Sequence, residues 1–427
     1  MNQKLFDFIA ASPTAFHAVA ESAAQLRAAG FTPLCESERW TLEPGKGYYV
    51  TRNGSSLIAF RVPQGELTGF MIAAAHGDSP AFKIKEHEEL KGQYYVQLSV
   101  ERYGGMILPT WFDRPLSVAG RVVVRTEKGV ETRLVDLREP VCLIPNVAIH
   151  MNRNINDGYK YNPAVDLLPL YGVPGGKTLR SRIAEAAGVG EDALLTHDLI
   201  VYLPERGVEW GEFISCPRLD DQQCAFAALT ALLSAEQGES APVFALFDNE
   251  EVGSMTKQGA ASTFLRDTLR RVVKALGLDV EDYRRVVAGS FLASCDNAHA
   301  VHPNHGELSD RSHSVTMNGG VVIKYNASQK YTSDAVSAGL FRLLCERAGV
   351  NVQCYANRAD LPGGSTLGNI SNTQVSLNAV DIGLAQLAMH STFETAGARD
   401  TEAMVKALRA LFAASLHAEA DGVYTLA

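Results

Sequence analysis

Four short apolar runs in this chain stop at acids or histidines. Met71-Ile-Ala-Ala-Ala meets His76-Gly-Asp78, and the run from Val243 to Phe247 leads to Glu250-Glu251. Phe291-Leu-Ala-Ser-Cys meets Asp296-Asn-Ala-His299, and Leu384-Ala-Gln-Leu-Ala-Met meets His390. Runs this short and this apolar suit strands covered on both faces of a sheet. Helical patterns lie among them: Cys224-Ala-Phe-Ala-Ala-Leu-Thr-Ala-Leu-Leu, Arg270-Arg-Val-Val-Lys-Ala-Leu, and an amphipathic stretch from Thr401 to Leu416. Another helix is expected near the start, capped by Ser12, opened by Pro13 and closed by Gly30, with Phe16, Val19, Ala23 and Leu26 at helical spacing. Alternating strands and helices predict α/β layers. In a mainly parallel sheet, ligands bind outside the carboxyl ends of strands, so the four run ends are expected to converge.

From about 88 to 205 the texture changes. Tyr94-Tyr-Val-Gln-Leu-Ser-Val, Leu116-Ser-Val-Ala-Gly-Arg-Val-Val-Val-Arg and Glu131-Thr-Arg-Leu-Val follow one another with few helical patterns between. A chain of 427 residues is too long for one ordinary core. The expected organisation is therefore a β-rich insertion, 88–205, within a domain built from 1–87 and 206–427.

Taken singly, the run ends say little, because a lone histidine is commonly structural and a Glu-Glu pair is commonly a solvated turn. Together they raise a question of charge. Burying carboxylates without compensation costs several kcal/mol each, and no matching set of Lys or Arg stands beside them in the sequence. A pair of divalent cations is the economical counter-charge, and Asp, Glu and His are ligands that zinc uses. Asp78 either orients His76 by accepting its second ring N–H or caps a turn. Two ions need a bridging carboxylate. Pro217-Arg-Leu-Asp220-Asp221 offers two, and spacing alone leaves open which one bridges and which one caps the following helix. Adjacent residues in a strand point to opposite faces. If Glu250 and Glu251 share a cavity, their strand must stop before residue 250.

The net charge is −9, which argues against nucleic acid or an anionic membrane as the main partner. Seven scattered cysteines without a C-x-x-C pair suit reduced, mostly buried thiols. The first residues carry no signal-peptide pattern, and no apolar stretch is long enough to span a bilayer. The expected location is cytoplasmic, with the sequons at Asn53 and Asn326 idle.

In order along nearly the whole chain, His76-Gly-Asp78-Ser-Pro, Arg218-Leu-Asp220, Asn249-Glu250-Glu251-Val-Gly-Ser, Asp296-Asn-Ala-His299-Ala-Val-His-Pro-Asn, Ile323-Lys324 with Tyr331, and Leu387-Ala-Met-His390-Ser resemble the aspartyl aminopeptidases. These are dinuclear zinc exopeptidases. The resemblance implies a mixed-sheet α/β catalytic domain with helices on both faces, plus an inserted β-rich dimerisation domain. It implies two divalent metal ions per subunit, zinc first, with manganese or cobalt as alternatives. His76, Asp220 and Asp296 would hold one ion; Asp220, Glu251 and His390 the other, with Asp220 bridging. Glu250 would be the general base taking a proton from the metal-bridging water, and Asp78 would orient His76. Lys324, His299 and Tyr331 match substrate-contacting positions. Ile144-Pro-Asn-Val-Ala-Ile-His150-Met-Asn-Arg matches a block whose histidine reaches a neighbouring subunit's active site. The implied substrates are peptides with a free acidic N-terminal residue, and the implied assembly is a homo-oligomer, a dodecamer of dimers. The chain departs from the family at Asp221, where asparagine is common, and at His305, where an aromatic is common; His305 is read as structural or exposed. Two other readings compete. One is a different dinuclear hydrolase, a carboxypeptidase or deacylase, which would need an arginine for a substrate carboxylate. The other is a non-catalytic self-assembling shell protein, against which the intact Glu250 argues.

Overall fold

A computed structural model describes residues 1–427. Its centre is a nine-stranded mixed sheet. In spatial order the strands are Thr32–Leu34, Gly47–Arg52, Ser56–Arg61, Ala241–Phe247, Phe70–His76, Phe291–Cys295, Asn378–Gly383, Val321–Tyr325 and Val352–Ala356. The four strands from Ala241–Phe247 to Asn378–Gly383 run parallel, so their carboxyl ends lie along one edge. Each is buried or nearly so along its length, which explains the unbroken apolar runs.

Side chains of Phe70–His76 alternate between two cores. Met71, Ala73 and Ala75 join the larger core, formed with helices Asn2–Ala11, Ala15–Ala28, Leu219–Ser234, Ala335–Arg347 and Asp400–Ala413. Phe70, Ile72 and Ala74 join a second core under Phe264–Ala275, Val280–Ala288 and Leu367–Asn372. Helices therefore cover both faces. Each fully buried Phe or Leu in these layers contributes roughly 1.5–3 kcal/mol of transfer free energy.

A second sheet of six antiparallel strands lies apart, in the order Gly129–Asp136, Ser117–Thr126, Leu194–Tyr202, Ala81–Lys91, Val96–Tyr103 and Leu170–Gly172. It has its own core, with Phe82, Leu98, Val118 and Leu199 at its centre. Strand Ala81–Lys91 runs across residue 88, so this sheet begins seven residues before the change in sequence texture.

Three details differ from the sequence reading. The second helix starts at Ala15, and Thr14 rather than Ser12 caps it by accepting the His17 N–H. Another helix, Asn2–Ala11, precedes it. The run from Leu384 does not continue the main sheet: after Asn378–Gly383 the chain enters a five-stranded sheet through Ala385–Leu387. That sheet, which also holds Ala298–His299, Phe213–Cys216 and Glu394–Gly397, carries no long apolar run to announce it. No helix is long and apolar enough to cross a membrane. The cysteines are free, five of them buried.

Candidate metal centre and active site

The parallel strand ends do converge. His76 is the last residue of Phe70–His76, and Asp296 follows Phe291–Cys295 on the neighbouring strand. Asp296 crosses close over Gly383, where a Cβ would stand 1.9 Å from its carbonyl oxygen; only a glycine allows that approach. Strand Ala241–Phe247 stops at Phe247. Asn249 then takes a left-handed conformation (φ 62°), and a 3-10 turn, Glu250–Val252, follows. Leaving strand geometry lets both glutamates face the same space. Glu250 Oε2 lies 3.9 Å from His76 Nε2, and Glu251 Oε2 lies 3.3 Å from His390 Nε2.

Two groups of donors form around one carboxylate. Single ligand atoms of His76, Asp220 and Asp296 lie within 4.8 Å of one another, and so do those of Asp220, Glu251 and His390. Asp220 is common to both. Its Oδ2 lies 3.2 Å from His390 Nε2 and its Oδ1 3.7 Å from His76 Nε2. Asp221 turns elsewhere: its Oδ2 accepts the backbone N–H of His76 at 3.3 Å. The two residues left equivalent by spacing are thus separated by tertiary structure. Asp221 is fully buried, and neither it nor Asp220 keeps helical geometry.

His76 Nδ1 faces Asp78, but its nearer contact is the Asp78 backbone carbonyl, at 3.0 Å, with the carboxylate at 3.4 Å. The Asp78 carboxylate instead accepts the backbone N–H of Glu250 at 3.2 Å and of Glu251 at 3.1 Å. Both contacts aim His76 Nε2 at the donors, and the carboxylate also fixes the turn that carries Glu250 and Glu251.

The electrostatics carry an unpaid charge. Burial, then repulsion from Asp296, Asp78 and Asp220, pushes the Glu250 carboxyl up to about 8 against the pull of His76. Burial and the Asp220 charge hold Glu251 well above the usual range. Burial raises Asp296 to about 6 despite Lys324. Asp220 goes the other way: the hydrogen bond from His390 and the charges of His76 and Lys324 outweigh its burial. Asp220 Oδ1 and Glu251 Oε1 are buried without a hydrogen-bond partner. Buried acceptors without donors, grouped with imidazole nitrogens, are what divalent cations fit.

Lys324, in strand Val321–Tyr325, is buried beside this centre. Its Nζ donates to Asp296 O at 2.8 Å and lies 3.5 Å from Asp296 Oδ2 and 5.2 Å from the centre of the Tyr331 ring. His299 is exposed, its ring edge-on to Tyr355. His150 is exposed on a loop of the six-stranded sheet's unit and is not among the donors grouped in this chain. His305 is also exposed.

Sequence reading missed Glu394. Its Oε2 accepts the Asp220 N–H at 3.0 Å and its Oε1 the His390 N–H at 2.7 Å, so one buried carboxylate holds the backbone of two donors. The only local signal was an acid four residues after His390. Asn297 was also missed; its Nδ2 donates to Leu219 O, Gln223 Oε1 and Gln386 Oε1 beneath Asp220.

Residues 8–412 match the family model described as aminopeptidase I zinc metalloprotease (M18). A probable M18 family aminopeptidase 2 of Clostridium novyi is 47% identical over 410 residues, covering 93% of this chain and 95% of that protein. One of Pseudomonas paraeruginosa is 42% identical, covering 97% and 98%. Among solved structures, the Ape4 and Nbr1 complex matches with a TM-score of 0.93 at 34% identity, over 96% of this chain and 85% of that one. The S. cerevisiae mApe1 dodecamer matches at 0.84 and 28%, over 96% and 95%. With six sequence blocks, the fold and the donor arrangement all in agreement, this chain is a member of the M18 family of zinc metalloprotease aminopeptidases.

Proposed function

We propose that this aminopeptidase works with two divalent cations, zinc first, and removes N-terminal aspartate or glutamate from peptides. The observation that carries the two-ion reading is the sharing of Asp220 between two three-donor groups, with Glu250 Oε2 3.9 Å from His76 Nε2. Cations bound there would supply the charge that acidifies a water and polarises the scissile carbonyl. Glu250 stands outside both donor groups, accepts a proton from the attacking water and returns it to the departing amine. Asp78 holds the turn that presents Glu250. The carboxylate-rich pocket favours a substrate with a free, protonated amine.

Lys324 supports acidic specificity. An ammonium has three donors, and its contacts to the carbonyls of Asp296 and Asn297 use two. The third faces Asp296 Oδ2 at 3.5 Å. Once a cation takes that carboxylate, this donor is the one left for a substrate carboxylate, with the Tyr331 ring centre 5.2 Å away and His299 contributing to the same pocket. On this reading residues 88–205 form a dimerisation unit inserted into a catalytic domain of 1–87 and 206–427. His150, flanked by exposed Val147, Ile149 and Met151, reaches a neighbouring subunit's site. The mApe1 dodecamer supports a dodecamer built on dimers here. The cysteine usage supports a cytoplasmic location.

The test offers Asp-, Glu-, Leu- and Lys-para-nitroanilide and N-acetyl-Asp to protein loaded with zinc, manganese or cobalt. The acidic anilides should be cleaved fastest and N-acetyl-Asp left intact. Preference for Leu or Lys would end the specificity claim, and cleavage of N-acetyl-Asp would favour the deacylase reading.

A further inference from the structure

The six-stranded sheet touches the catalytic turn through one short segment. Strand Val96–Tyr103 ends at Tyr103, whose phenol donates to Asp78 Oδ2 at 2.7 Å and accepts from Asn249 Nδ2 at 2.9 Å. Both partners belong to the machinery around Glu250. Asn249 opens the turn, and Asp78 accepts the N–H groups of Glu250 and Glu251. The next residue, Gly104, has φ 76°, and a Cβ there would stand 3.1 Å from Glu251 Cβ. A Cβ on Gly105 would come within 3.9 Å of His390 Nδ1. Ile107 then donates its N–H to His390 O at 3.1 Å. Four residues, Tyr103 at the end of a strand of another sheet and Gly104, Gly105 and Ile107 just after it, therefore lie against Asp78, Glu251 and His390.

We propose that Tyr103 is a positioning residue for peptide hydrolysis: its phenol orients the Asp78 carboxylate, which in turn aims Glu250 and Glu251, while Gly104 and Gly105 let the segment rest on the Glu251–His390 side. The inference depends on the proposed role of Glu250 as base. A packing role alone does not account for the polar contacts, since the hydroxyl is buried between two groups that both serve the turn. Burial and the Asp78 charge keep the phenol protonated, so it serves Asp78 as a donor. Without it, Asp78 Oδ2 keeps only the Glu251 N–H, and the Asn249 side chain loses its acceptor.

The decisive variant is Tyr103→Phe in the full, cation-loaded protein. Its kcat should fall about 10- to 100-fold, with KM within about twofold, unchanged bound-metal content and an unchanged unfolding midpoint. Gly104→Ala should weaken cation binding at one of two sites in a calorimetric titration, because the added methyl presses on Glu251 from a left-handed backbone. A Tyr103→Phe kcat within about twofold of wild type overturns the inference. So does a loss of activity that merely follows lost metal or lost stability. Glu250→Gln separates the two levels of the argument. If Glu250→Gln stays active, the base assignment fails; if it is inactive while Tyr103→Phe is fully active, only the present inference fails.

Discussion

The two donor groups share Asp220 but are built from different material. His76 and Asp296 stand at the ends of adjacent parallel strands and are both buried. Their positions follow from sheet hydrogen bonds and from the two cores above and below. Glu251 and His390 come from a 3-10 turn and from a loop where His390 itself has φ 69°. The His390 side chain is 32% exposed. This second group depends on support from beyond the main sheet: Glu394, on the five-stranded sheet whose strands flank the His390 loop, and the segment Tyr103–Ile107, which follows a strand of the six-stranded sheet. Strand ends come preorganised, whereas turns and loops must be held, and a held group has lower local stability.

That contrast can be broken at several points. Asp220→Ala should abolish hydrolysis and leave neither group able to hold a cation in calorimetric titration; two intact binding steps would refute the shared-ligand geometry. Glu250→Gln should lower kcat by about 10²–10⁴-fold while both binding steps persist, since Glu250 belongs to neither donor group. Chelator titration should remove cations in two stages, the Glu251–His390 group first, followed by metal analysis of desalted protein. A single cooperative loss would mean the two groups are equally held. Glu394→Gln should weaken cation binding by about tenfold at the His390 group and much less at His76–Asp296; equal weakening at both would show that Glu394 acts mainly through Asp220.

The smallest effect concerns the junction between the two sheets. His17, on helix Ala15–Ala28, is lowered to about 4 by burial and by the charges of Arg138 and Arg218, which outweigh Asp136. A histidine depressed from about 6.5 favours the folded state when neutral. Its contribution is complete above pH 6.5 and is lost as pH falls from there toward 4. The denaturation midpoint of His17→Asn should therefore drop less between pH 7 and pH 5 than that of the wild type. An identical drop in both would place the acid-sensitive group elsewhere.

Much of the site was legible because strand ends leave marks in sequence. Uniformly apolar runs followed at once by His76 and Asp296, and within three residues by Glu250-Glu251, signal a sheet edge where charge collects. Glu394 and Tyr103 left no such mark, since each acts through backbone N–H groups or a carboxylate distant in sequence: Glu394 lies 174 residues from Asp220 and Tyr103 lies 25 from Asp78. His390 was found, but its strand was misplaced, because a run of apolar residues does not say which sheet it joins. Ser12 was the expected cap of the second helix, but the helix starts later, at Ala15, so Thr14 is the residue whose side chain reaches the His17 N–H.

What the sequence determined by itself is local: which segments are apolar enough to be strands, where they stop, and which residues at their ends can bind a cation or move a proton. Tertiary structure decided among equivalents. Asp220 rather than Asp221 joins the two donor groups because the chain leaves helical geometry at both residues and sends the second carboxylate to the His76 backbone. Asp78 serves the Glu250–Val252 turn as much as His76 for the same kind of reason. A carboxylate's role is set by which donors reach its oxygens, and those donors arrive from elements far away along the chain.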